Sequence, residues 1–124
     1  MIMNWFKITI LAICVLISSV INAQSHQNLM EFEFEKIDEN IQVKKLSTDT
    51  NSSSFLIQVT KSVKAHFHQN HTETIYVLQG TAKIHLGDSI LTVKTGDFIE
   101  IPKNTIHSVE VTSVEKLRVL SVQA

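Results

Sequence analysis

The stretch Ala65-His66-Phe67-His68-Gln69-Asn70-His71-Thr72-Glu73 gathers three histidines and a carboxylate into one short run. On a strand, residues i and i+2 share a face with Cα atoms ~6.6 Å apart, so His66 and His68 can turn both imidazoles toward one ion. Glu73 can fold back after a short turn to add an oxygen. His107 stands at the start of a later strand and can close the site from across a barrel. Three nitrogens and one oxygen with positions left open suit one divalent first-row metal per subunit; manganese, iron, zinc, nickel and copper all accept imidazole. A closed cysteine-type zinc site is excluded, because the chain has a single cysteine. The competing reading is that these four side chains only hydrogen-bond to one another.

Two further residues are candidates for chemistry rather than ligation. His71 lies in the loop between His68 and Glu73, as a solvated mouth residue or an acid or base. Tyr76 is the only tyrosine and is placed in a strand beside the site, to pack or to orient substrate. His85 is read as a surface residue, and His26 carries no argument. Phe32, Phe34, Phe55, Phe67 and Phe98 are read as core or subunit-contact aromatics.

The elements that must position these residues alternate with period two, the signature of half-buried strands. Glu31-Phe32-Glu33-Phe34-Glu35 predicts a strand with a solvated acidic face, and Ile41–Val43 and Phe55–Val59 continue the pattern. Further strands are predicted at Ile75–Leu78, Thr81–Leu86, Ile90–Val93, Phe98–Ile101, Ile106–Val111 and Val114–Val122. Ser47–Ser54 reads as a polar loop. Glycine marks turns at Gly80, Gly87 and Gly96, and Pro102 follows a strand end, where its missing N–H breaks no ladder. About nine or ten short strands in ~100 residues imply an all-β fold, a small antiparallel barrel closed on itself.

The first residues are an address. Met1–Ala23 reads as a secretory signal peptide, with Lys7 as its basic region, Ile8–Ile17 as an apolar run broken only by Thr9, and Ala23 before the cleavage point. That run falls short of the ~20 residues a membrane span requires. The expectation is a periplasmic or secreted protein, free of the membrane after cleavage, with a single domain over 24–124 whose residues 24–30 are disordered. A chain of 124 residues with 44% hydrophobic and 19% charged residues has the composition of one folded domain. Eleven basic against twelve acidic side chains, a formal charge of −1, weighs against a nucleic-acid partner, whose phosphates call for a basic excess.

At the histidine stretch and beyond, the chain resembles the cupin superfamily, in particular its small single-domain metal-binding members of the type-2 kind. Its first motif reads here as His66, His68, Glu73 and Gly80, and its second as Gly96, Pro102 and His107, the two separated by Thr81–Thr95. The resemblance covers about residues 55–124. Thr60, Asn104 and Val111 depart from it where the family commonly has Gly, Gly and Asn; Asn tolerates a left-handed backbone, and none of the three is a ligand. The resemblance implies a jelly-roll barrel, a metal held by His66, His68, Glu73 and His107, and often a homodimer. Relatives include dioxygenases, isomerases, lyases and non-catalytic modules, so fold alone leaves the reaction open. The expectation is an exported protein that binds or transforms a small organic molecule at this mononuclear site, as a dioxygenase, lyase or isomerase. The alternative is a non-catalytic module that binds or senses a metal or small ligand.

Overall fold

The alternating pattern is realised as nine strands in the computed structural model, which describes residues 25–124. The expected signal peptide lies outside the described residues. The strands are β1 (Ile41–Thr48), β2 (Ser53–Val59), β3 (Ser62–His66), β4 (Glu73–Gln79), β5 (Thr81–Leu86), β6 (Ser89–Lys94), β7 (Phe98–Ile101), β8 (His107–Val111) and β9 (Leu117–Gln123). They form a five-stranded sheet in the order β1-β2-β9-β4-β7 and a four-stranded sheet in the order β3-β8-β5-β6. Every pairing is antiparallel. This is the jelly-roll barrel expected.

The sheets enclose an aliphatic core. Val59, Ile75, Val77, Ala82, Ile84, Val93, Ile99, Ile101, Leu117 and Val119 are all buried in one cluster. Burying a Val, Leu or Ile side chain contributes roughly 1.5–3 kcal/mol, so this set dominates the favourable side of folding. Of the two places expected for the phenylalanines, core or subunit contact, the core is excluded. Phe67 and Phe98 are exposed, and Phe32 and Phe34 pack edge-to-face with centroids 5.0 Å apart on the outside of the larger sheet. The interior is filled instead by aliphatic side chains, mostly valine and isoleucine, from the facing strands.

Glu31–Glu35 forms no strand. Its alternation is real, with both phenylalanines partly covered and the glutamates exposed, but it has no ladder partner. The segment lies against the outer face of the five-stranded sheet, with Phe34 5.7 Å from the Arg118 guanidinium and Phe32 5.9 Å from Lys44 Nζ. Leu29 and Met30, within the stretch expected to be disordered, offer their carbonyls to Arg118 Nη1 at 2.9 and 3.1 Å. The polar loop expected over Ser47–Ser54 shrinks to a turn. Ser47 and Thr48 pair their hydroxyls with Ser54 and Ser53 at 2.6 and 2.7 Å, extending β1 and β2 toward each other. Asp49 then accepts from the Asn51 and Ser52 N–H groups to close it.

Gly80 links β4 to β5, which lie in different sheets, at φ +85°. A Cβ there would stand 2.9 Å from Ser113 Oγ, 3.0 Å from the Lys116 carbonyl and 3.1 Å from Leu117 Cα. Both the backbone angle and the close approach require glycine. Asn104 adopts φ 59°, so the left-handed turn before β8 is kept with asparagine in place of glycine. Val114, expected inside a strand, is fully exposed in the turn before β9.

Candidate metal centre

His66 ends β3, His68 lies just beyond it, Glu73 opens β4 and His107 opens β8. His66 and His107 are direct cross-strand partners, and an irregularity between Val63 and His66 adjusts the register before the pair. Asn104 N–H donates to the His68 carbonyl at 2.7 Å, tying the loop after β3 to the turn before β8. Glu73 comes from the opposite sheet. The four side chains therefore meet at one end of the barrel, and one donor atom from each lies within 4.8 Å of all the others.

The histidine tautomers are set by the backbone. His66 Nδ1 donates to the Lys64 carbonyl at 2.7 Å, and His107 Nδ1 donates to the Thr105 carbonyl at 2.9 Å. A carbonyl can only accept, so the proton sits on Nδ1 and Nε2 is left with a lone pair. Such carbonyl contacts are the usual way a ligating imidazole is oriented.

Glu73 is 5% exposed and divides its two oxygens. Oε1 accepts from the Ser121 hydroxyl at 2.5 Å, while Oε2 stands 3.2 Å from His68 Nε2 and 3.3 Å from His107 Nε2. Burial acts most strongly on this carboxyl and would raise it. His107, Ser121 and His68 together outweigh burial and hold it at about 2. Burial pushes His68 down, and the neighbouring imidazoles add to the effect against the pull of Glu73. At His107 burial again acts downward, but the Glu73 oxygen and the Thr105 carbonyl prevail and raise it.

The short contacts to Oε2 lack the direction of hydrogen bonds. Nε2 of His68 and Nε2 of His107 are both buried and have no hydrogen-bond partner. Two donors ~2.0–2.2 Å from a common ion stand about 3–4 Å apart, which matches the 3.2 and 3.3 Å separations. The donor set and its orphaned nitrogens fit a divalent metal.

The structure treats the two remaining candidates differently. The His71 ring lies 4.4 Å from that of His68 at 33°, outside the ligand set, and its Nε2 is also buried without a partner. Tyr76 does not join the site. It lies three residues along β4 from Glu73, an odd offset that sends it to the other face, where it is 43% exposed and paired across the ladder with Phe98. Ser121 was not anticipated. Its signal was a lone hydroxyl following Leu117 and Val119 on the inward side of β9.

A cavity of about 120 Å³ opens beside the cluster, lined by His66, Glu73 and His107 and otherwise by Val, Ile and Leu side chains. The Cupin domain family matches residues 54–123, which include all four clustered side chains. The chain belongs to the cupin family. Among curated relatives, this cupin is 36% identical over 75 residues to an uncharacterized protein of Aquifex aeolicus (strain VF5), across 60% of this chain and 62% of that one. It is 38% identical over 48 residues to the quercetin 2,3-dioxygenase of Bacillus subtilis (strain 168), across 39% of this chain and 14% of that enzyme. The matches thus span less than two thirds of either relative. Among solved structures, the TT1209 protein of Thermus thermophilus superposes with a TM-score of 0.73 at 17% identity, covering 82% of this cupin and 97% of that chain; the likeness is one of fold.

Proposed function

We propose that this cupin is an exported, metal-dependent protein that binds or transforms a small organic molecule at a mononuclear site of His66, His68, Glu73 and His107. The observation that carries the reading is the pair of buried, unpartnered Nε2 atoms of His68 and His107 beside one glutamate oxygen. A buried polar atom without a partner costs roughly 1–3 kcal/mol, and a shared cation removes that cost at both. When bound, a divalent metal supplies Lewis acidity to an oxygen-bearing ligand. The chain's own groups set the stage: the Lys64 and Thr105 carbonyls hold the imidazole tautomers, Ser121 holds the Glu73 carboxylate, and the aliphatic wall excludes water.

The Bacillus subtilis relative is named as a dioxygenase, which supports oxidation as the reaction, with lyase or isomerase action as the other versions. Export rests on the Met1–Ala23 pattern. Homodimer assembly is supported by the exposed Tyr76–Phe98 pair, 43% and 66% exposed, on the outer face of the larger sheet. One observation favours the second reading, a non-catalytic binding or sensing module. Among the described residues, no side chain lining the cavity can transfer a proton apart from the metal ligands.

Metal content per chain tests the proposal, measured by mass spectrometry on tag-free mature protein. About one ion per chain is expected, with loss in His66→Ala and in His107→Ala. Near-zero content after reconstitution with each of the five metals would overturn it. Loss of turnover in His71→Ala with ligand binding intact would separate the enzyme from the binding module.

A further inference from the structure

We infer that the ligand of this site is a small apolar body carrying one singly charged oxygen donor, and that polyols, sugar acids and dicarboxylates are excluded. The inference rests on the metal-site reading and narrows it to a ligand class. Three features of the cavity carry it.

The first is the wall. Among the described residues, the only polar side chains facing the cavity are His66, Glu73 and His107, all of them metal ligands; Ile57, Val63, Val109, Val119 and the other lining residues are aliphatic. No lysine, arginine, amide or hydroxyl in that lining is available to bind a second polar group. The second is size. A volume of about 120 Å³ is slightly less than the roughly 150 Å³ of an apolar cavity that takes up benzene, so the body is a single ring or a short alkyl chain. The third is charge. A divalent ion and the Glu73 carboxylate leave one net positive charge, which one anionic oxygen neutralises. A second carboxylate or a row of hydroxyls would be left without partners in an apolar space, where polar groups are strongly disfavoured.

The polar surface near the site does not offset this. The cleft containing His71, with Asn51, Ser53 and Asn70, includes none of the four metal ligands. A polyol seated there would have no donor on the ion from that cleft's own lining.

Calorimetric titration of the zinc-loaded protein, with zinc per chain measured on the same sample, tests the inference using ligands that share a carboxylate head. Pentanoate is expected to bind at least ten-fold tighter than glutarate, and butyrate at least ten-fold tighter than 3,4-dihydroxybutyrate. Ile57→Phe and Val63→Phe, two independent fillings of the cavity, are expected to weaken benzoate binding ten-fold or more with zinc per chain unchanged. Glutarate or dihydroxybutyrate binding as tightly as its apolar counterpart would overturn the inference. So would benzoate binding at the original strength in both folded, zinc-loaded variants. If zinc is not taken up, the titrations use manganese, iron, nickel or copper instead; uptake of none of the five overturns the metal reading on its own, and the apolar cavity is then tested by benzene binding to the metal-free protein by NMR: uptake supports an apolar body, and no uptake overturns it.

Discussion

Ser121 is fully buried on β9 and gives its hydroxyl proton to Glu73 Oε1, so Oε2 alone is turned toward His68 and His107. Removing that hydroxyl frees the carboxylate to rotate. Partners that orient metal ligands are worth roughly 10–100-fold in metal affinity, and Ser121→Ala should weaken metal binding by that amount in a competition titration with a chromogenic chelator, with little change in fold by circular dichroism. In the metal-free protein Glu73 carries a pH signature. Its carboxyl is held at about 2 against an ordinary 4.5, so its ionised form favours the folded state. That contribution is complete above pH ~4.5 and fades as pH falls toward about 2. Glu73→Gln should flatten this part of the acid-unfolding curve, and an unchanged slope across that range would contradict the assignment.

Arg118 is the tie between two elements. It is 8% exposed, donates to Gln58 Oε1 at 2.7 Å and to the Leu29 and Met30 carbonyls, and lies near the Phe34 ring. Hydrogen bonds to a charged group contribute roughly 1.5–3 kcal/mol. Arg118→Leu should therefore lower stability by about 2–3 kcal/mol in denaturant unfolding and expose the Leu29–Phe34 segment to limited proteolysis. Nothing in the sequence announced this arrangement. Period two shows that Glu31–Glu35 has two unlike faces, and it cannot say whether a neighbouring strand or the flat of a sheet covers the apolar one. The clustered histidines and glutamate were legible because residue type and close spacing restrict them. Tyr76, an odd number of residues from Glu73 along β4, faces away from the site although it is near it in sequence. β3 was not among the predicted strands because Ser62, Lys64 and Ala65 hide its single branched residue, Val63, and its pairing is irregular.

At the scale of the whole molecule, the proposed metal binding would be coupled to folding. The centre draws on both sheets: His66 and His107 come from β3 and β8, Glu73 from β4, so an ion held there would cross-link the two layers. A ligand present at 100 times its Kd stabilises by about 2.7 kcal/mol, and for a domain of this size each kcal/mol moves Tm by roughly 4–8 °C. Chelation should lower Tm by about 10–20 °C in scanning calorimetry, and an unchanged Tm would show that the ion does not join the layers. The all-β class and barrel closure followed from short alternating segments with turn residues between them. The aliphatic filling of the barrel did not, because alternation shows which side chains share a face and not whether rings such as Phe67 and Phe98 or the branched chains occupy the inward one.

The two sheets are unequal, five strands against four, and β1 is one of the two border strands of the larger. It is bonded on one side only, to β2, while Ile41 and Val43, at 40% and 57% exposure, line the cavity. A segment with a single neighbour opens at lower cost than one bonded on both sides. Beside the cavity β1 is thus a low-cost place for the barrel to open, a standing it shares as a border strand with β7, β3 and β6.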